Sequence, residues 1–291
     1  TLCPDRAREH ASRLMKEPPS EPPPGYLYGL PIAVKDLKDV KGVRSTKGSP
    51  IFANHIPERS DYLVETMESR GAVVLAKSNT PEFGAGANTF NEVFGKTRNP
   101  WDTRLTCGGS SGGTAVALAA GQLWLGSGSD LGGSLRIPAS FCSVVGLRPS
   151  PGRVANGPRA LPFSTLSVEG PMGRTVEDVA LFLDNQAGRH LGDPISMPAP
   201  ATPFQEAART PRVPGRVAFS PDLGIAPVDA EVLKHTAESE RDCNPGHDGG
   251  AIDPDSAHTC RRASECGAVD ERETNSITDY QPTTKCDLEC W

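Results

Sequence analysis

Serine hydroxyls flanked by glycine occur twice in close succession, in CGGSSGG at 107–113 and in GSDLGGSLRIPAS at 128–140. Runs of this composition are most often flexible linkers. Linkers do not alternate with small-residue helices and apolar strands as these do. A phosphate-cradling loop would need a lysine after its closing glycine, and Thr114 occupies that place. A dinucleotide fingerprint would need a third glycine where GSGSDL carries Leu131. Nucleophilic chemistry fits better. The amides that precede Ser134 in LGGS can converge on one oxygen, because no bulky side chain blocks close approach, and Ser134 would be the adjacent nucleophile.

A serine nucleophile needs a base. His10, His55, His190 and His235 sit in no informative setting. Lys35 ends the apolar run GLPIAVK, where a charge would be buried, and burial lowers a lysine's pKa toward what a base requires. The competing reading is a strand-end lysine that reaches solvent or pairs with Asp36. The residues alone leave both open. GGSSG also fits G-x-S-x-G with Ser110 as nucleophile, a reading that would need a later acid and His190 or His235.

Ordered elements must hold these residues. Periodicity predicts a helix over Pro4–Lys16, a strand in GLPIAVKDL, a helix from a Ser60 cap to about Ser69 and a strand in AVVLAK. Strand, helix, strand in that order implies a parallel sheet with crossover helices, an α/β protein. TAVALAAGQL reads as a small-residue helix, WLGSGSD as strand into loop and FCSVVGL as a buried run. Thr175 caps a helix, VEDVALFLDNQAG, that ends at Gly188, and RVAFSPDLG reads as one more strand and turn.

Composition separates a body from a tail. Residues 236–291 hold 13 acidic and 5 basic residues, so the whole acidic surplus of a chain with net charge −6 lies there. Their sizeable apolar residues are Ile252, Val269, Ile277, Tyr280, Leu288 and Trp291, too few to offset ordering entropy. The expectation is a body over 1–235 and a disordered tail over 236–291. In the tail, Cys243, His247, His258, Cys260 and Cys266 match no strong zinc pattern. Cys3, Cys107 and Cys142 are scattered through the body and read as reduced, buried thiols. No run approaches the roughly 18 apolar residues of a membrane span, and the start lacks a signal's apolar stretch. A cytoplasmic protein without a membrane partner follows as the expectation, and the net acidity disfavours direct nucleic-acid binding.

GLPIAVKD, then GGSSGG, then GSDLGGSLRIPASFCSVVGLRPSPGRV resemble the amidase signature family in type and order. TPEFGAGANTFNEVFGKTRNPWD and EGPMGRTVEDVALFLD resemble its flanks, and the likeness runs from about residue 5 to residue 232. The resemblance implies the amidase signature fold, a mixed, mostly parallel central sheet flanked by helices, incomplete at its C-terminal end. It also implies a cofactor-free Ser-Ser-Lys amidohydrolase acting on a small-molecule amide, and leaves a homodimer open. Ser134 would attack, Ser110 would relay the proton after a cis bond from Gly109, and Lys35 would be the base. Main-chain amides of Leu131, Gly132, Gly133 and Ser134 would face the oxyanion, with Asp130 and Arg136 bracing the loop. A glutaminase-type subunit that amidates mischarged tRNA is the alternative. Similar proteins of that branch carry RQPA and SSLDQ where this chain has RIPA at 136–139 and STLSV at 164–168. Family members are considerably longer, so a truncated or frame-altered, inactive product is a further expectation.

Overall fold

The computed structural model describes residues 1–210, 220 and 225–243. The chain divides into two compact units, Thr1–Arg209 and Thr210–Trp291. The first opens with α1, Pro4–Lys16, which has a proline and Asp5 in its first turn and Arg13 and Lys16 in its last. That charge order complements the helix dipole. Strand β1, Pro31–Lys35, alternates by period two, so Ile32 and Val34 enter one core cluster while Ala33 enters another. Helix α2, Tyr62–Ser69, buries Leu63, Val64 and Met67. Its N-cap is Asp61, not Ser60; the Ser60 hydroxyl accepts instead from the Lys41 amide at 3.0 Å.

Strand β2, Val73–Ser78, lies parallel to β1. A two-stranded antiparallel ribbon follows, β3 (Phe90–Asn91) with β4 (Gly95–Lys96). Helix α3 spans Gly112–Ala119, β5 Leu125–Asp130 and α4 Arg136–Cys142. The run FCSVVGL is split: Phe141 and Cys142 close α4, Ser143 adopts a left-handed conformation, and Val145–Gly146 form β6. Strand β7, Val168–Gly173, precedes α5, Val176–Gln186, and α6, Phe204–Arg209. Thr175 caps α5 in a reciprocal box: its hydroxyl accepts from the Asp178 amide at 3.1 Å, and the Asp178 carboxylate accepts from the Thr175 amide at 3.2 Å.

The main sheet has the order β2-β1-β5-β7-β6. Strand β1 is parallel to both neighbours, while β7 runs against β5 and β6, so four strands share one direction. This is a mixed, mostly parallel sheet with helices on both faces. Ile32, Val34 and Val74 pack with Leu63 and Met67 of α2 and Phe182 of α5. Ala33 and Met172 pack with Ala115 and Leu118 of α3 and Leu135, Ala139 and Cys142 around α4. A fully buried side chain such as Phe182 contributes about 1.5–3 kcal/mol.

In the second unit, α7 spans Ala230–Cys243, and the boundary expected at 235 falls inside it. Local contacts accompany that helix: His235 lies 3.9 Å from Glu231, and the Thr236 hydroxyl donates to the Val232 carbonyl at 2.7 Å. The strand read in RVAFSPDLG lies outside the described residues apart from Ser220, as does the tail beyond 243 with its histidines and remaining cysteines.

Candidate active site

Three segments meet at the C-terminal ends of β1 and β5. Lys35 closes β1 and is fully buried. Its Nζ donates to Ser110 Oγ at 2.7 Å and to Ser129 Oγ at 3.0 Å, and its main-chain amide donates to Ser127 Oγ at 3.3 Å. Asp36, the neighbouring acid in sequence, is bonded instead to Lys77 Nζ at 2.6 Å and to Thr46. Among the described residues no carboxylate pairs with Lys35, so burial pushes its pKa down to about 7, against the opposing field of Glu169.

Ser110 stands just before α3, and the Gly109–Ser110 peptide bond is cis. Gly109 is required by close approach: a Cβ there would meet main-chain atoms of Ala87 and Asn88 at 3.0 Å. Ser111, next in sequence, ties the serine-bearing segments together. Its amide donates to the Ser134 carbonyl at 3.1 Å, and its hydroxyl accepts from the Ser129 amide at 3.3 Å.

Ser134 is half-buried on the loop between β5 and α4. Asp130 organises that loop. Its carboxylate accepts from the Gly133 amide at 2.8 Å, the Leu135 amide at 3.2 Å and Arg136 Nε at 3.0 Å. Arg148 adds a contact to Oδ1 at 3.0 Å and one to the Asp130 carbonyl. Burial raises the Asp130 pKa, but the bonds from Arg136 and the two amides outweigh it and hold it down to about 2. The Gly133 amide, expected from sequence among those facing the oxyanion, donates here to Asp130. The physical reason is the strand-end carboxylate, which captures the amide of the left-handed Gly133 (φ 113°). Among the described residues, the amides of Leu131, Gly132 and Ser134 meet no acceptor, and Leu131 and Gly132 are exposed.

Among the described residues of this unit, no histidine bonds to Lys35 or Ser110. His190 stacks on Tyr62 with ring centroids 4.0 Å apart, and its Nδ1 accepts from the Gly192 amide. His235 lies in α7 of the other unit. Sequence reasoning missed Ser127 and Ser129, although their spacing of two in LGSGSD puts both on one face of a strand. It also missed Arg148, and the Lys38–Glu169 pair, whose members lie 131 positions apart and carry no local signal.

The amidase family model matches residues 1–281 of the chain. An acylamidase of Rhodococcus erythropolis is 41% identical over 209 residues, 72% of this chain and 44% of that protein. The A-type component of a glutamyl-tRNA(Gln) amidotransferase from Gloeobacter violaceus is 38% identical over 244 residues, 83% of this chain and 50% of that protein. Among solved structures, a bacterial aryl acylamidase of the amidase signature family superposes with a TM-score of 0.72 at 32% identity, covering 81% of this chain and 49% of its own. The chain thus spans about half the length of the relatives it matches. With a mixed sheet, a lysine bonded to a serine hydroxyl and a family model spanning almost all its length, this chain belongs to the amidase family.

Proposed function

We propose that the protein hydrolyses a small-molecule carboxylic amide through an acyl-enzyme on Ser134. The observation that carries this reading is a fully buried lysine, without a paired carboxylate, whose Nζ lies 2.7 Å from Ser110 Oγ. Neutral Lys35 takes the proton of Ser110 as Ser110 takes that of Ser134, and Ser134 Oγ attacks the amide carbonyl. The amides of Leu131, Gly132 and Ser134 face the oxyanion. Collapse of the tetrahedral adduct returns the proton to the departing amine, and water then releases the acid by the same route in reverse. The free thiols of Cys3, Cys107 and Cys142 support a reducing compartment such as the cytoplasm. No helix among the described residues is long and apolar enough to cross a membrane.

Half-buried Ile137 packs against Gly108 and Gly133, at the base of the nucleophile loop. An apolar side chain there favours an amide of low polarity over a glutamine-like one. The second reading, the glutaminase component of an amidotransferase, is favoured by the relatives of that name. Its mark would be ammonia release from glutamine in preference to an anilide. The nucleophile is tested by a fluorophosphonate probe, which should label Ser134 in the wild type and nothing in Ser134→Ala. A label on Ser110 with Ser134 untouched overturns the assignment.

A further inference from the structure

Half-buried Lys38 and buried Glu169 form an ion pair that the reaction as proposed does not use. Lys38 is placed by a turn directly after β1, its amide donating to the Lys35 carbonyl at 3.0 Å. Its Nζ lies 3.0 Å from Glu169 Oε1, 2.9 Å from Asn156 Oδ1 and 3.7 Å from Asp61 Oδ2. Glu169 comes from β7 and is 2% exposed. Its Oε2 is buried and has no hydrogen-bond partner among the described residues, so Lys38 is the cation that balances it.

Register places this pair against the catalytic cluster. Glu169 is the cross-strand partner of Ser129, and Ser129 Oγ is one of the two hydroxyls bonded to Lys35 Nζ. Residues paired this way in an antiparallel ladder present their side chains on one face, with Cβ atoms about 4.5–5.5 Å apart. The charged groups acting on Lys35 are Glu169 from β7, Lys38 from its own turn and Asp130 from the end of β5. Asp130 is already bound by Arg136, Arg148 and two amides, which offset much of its charge. Glu169 and Lys38 are left as an opposed pair of charges beside a lysine that must lose and regain a proton. In a buried site, one charge about 6–8 Å away shifts such an equilibrium by roughly one to two pH units.

We infer that Glu169, held in place by Lys38, is a positioning residue that sets the charge state in which Lys35 meets Ser110. The inference rests on the reading of Lys35 as base. Glu169 favours protonated Lys35 and Lys38 opposes it, so removing either charge displaces the balance in a known direction.

The test is the pH–rate profile of p-nitrophenyl ester hydrolysis by the full chain. Glu169→Gln should move the acid limb about one unit toward lower pH, because Lys38 then acts on Lys35 without the opposing charge of Glu169. Lys38→Met should move it about one unit toward higher pH, and the double variant should return it close to the wild type. A pair that only supported the fold would lower the rate at every pH and leave the limb in place. Limbs of both single variants within about 0.3 unit of the wild type, or displaced in the same direction, overturn the inference. Should Glu169→Gln fail to fold, the Lys38→Met displacement decides alone. Lys35→Ala separates the two levels of argument. If it keeps its rate, the base assignment falls and this inference with it; if it is inactive while the limbs stay fixed, the inference alone fails.

Discussion

Two lysines sit near the ends of adjacent strands, and both are buried: Lys35 on β1 and Lys77 on β2. Lys77 donates to the Asp36 carboxylate at 2.6 Å and to Ser45 Oγ at 2.8 Å. Asp36 also accepts from the Thr46 hydroxyl at 2.6 Å, which completes a satisfied ionic knot. Among the described residues, Lys35 bonds two hydroxyls and forms no ion pair. Burial lowers the pKa of both, but only Lys77 has a bonded anion opposing that effect. A buried ammonium that neutralises a buried carboxylate is architecture, since neither charge can leave without stranding the other. A buried amine among hydroxyls is free to give up its proton and accept one from a serine. Strand-end position and burial are common to both lysines; the partner is what separates the proposed base, Lys35, from Lys77.

The largest expected effect lies on the Lys35 side. Lys35→Met should lower kcat/KM by about 10²–10⁴-fold, the usual contribution of a positioned base. In the wild type the acid limb of the profile should fall near pH 7, with activity rising as Lys35 loses its proton. Stability has a matching sign. The folded-state pKa lies below the unfolded value of 10.5, so the unfolded chain binds the extra proton between about 7 and 10.5, and stability rises with pH across that window. Lys35→Met should remove that slope without lowering the melting temperature. A variant that melts early yet keeps its rate would erase the contrast between the two lysines.

Lys77→Ala should show the opposite behaviour, a loss of about 3–5 kcal/mol in urea unfolding because the Asp36 charge is left buried and unpaired. If Lys77→Ala is as stable as the wild type, the ionic knot is not what holds these strand ends. The smallest effect is expected at Asp130→Asn, about 1–3 kcal/mol, from weakened bonds to Arg136 and the Gly133 and Leu135 amides. The Asp130 pKa is depressed when folded, so its contribution is present above about pH 4 and is lost as pH falls toward 2. Urea titrations at pH 3 and pH 6 should therefore differ less for the variant than for the wild type.

Much of the fold was legible because its signals are local. The alternation of PIAVK, the threonine before VEDVALFLDNQ and the Pro-Asp start of α1 each act within one or two turns of chain. Less legible were features in which two local preferences compete. Ser60 and Asp61 are both good caps, and the choice went to Asp61 while Ser60 bonded Lys41. FCSVVGL is apolar enough for a strand, but the left-handed turn at Ser143 divides it between α4 and β6. Residues 236–238 continue α7 although the apolar pattern has lapsed, since a helix can extend on short-range bonds such as Thr236 to Val232.

For the site, short segments put Lys35, Ser110 and Ser134 forward as candidates, but their residues alone left Lys35 open between base and strand-end cation, and the family resemblance made the choice. Pairwise choices belong to the tertiary structure alone. That Lys77 rather than Lys35 takes Asp36 and that Ser129 supplies the second hydroxyl depend on atoms brought together across adjacent strands. Strand register sets Glu169 beside Ser129 across the β5–β7 ladder. Chain chemistry carries the groups able to react; burial and register determine which of them meet, because a proton equilibrium responds to charges a few ångströms away and not to neighbours in sequence.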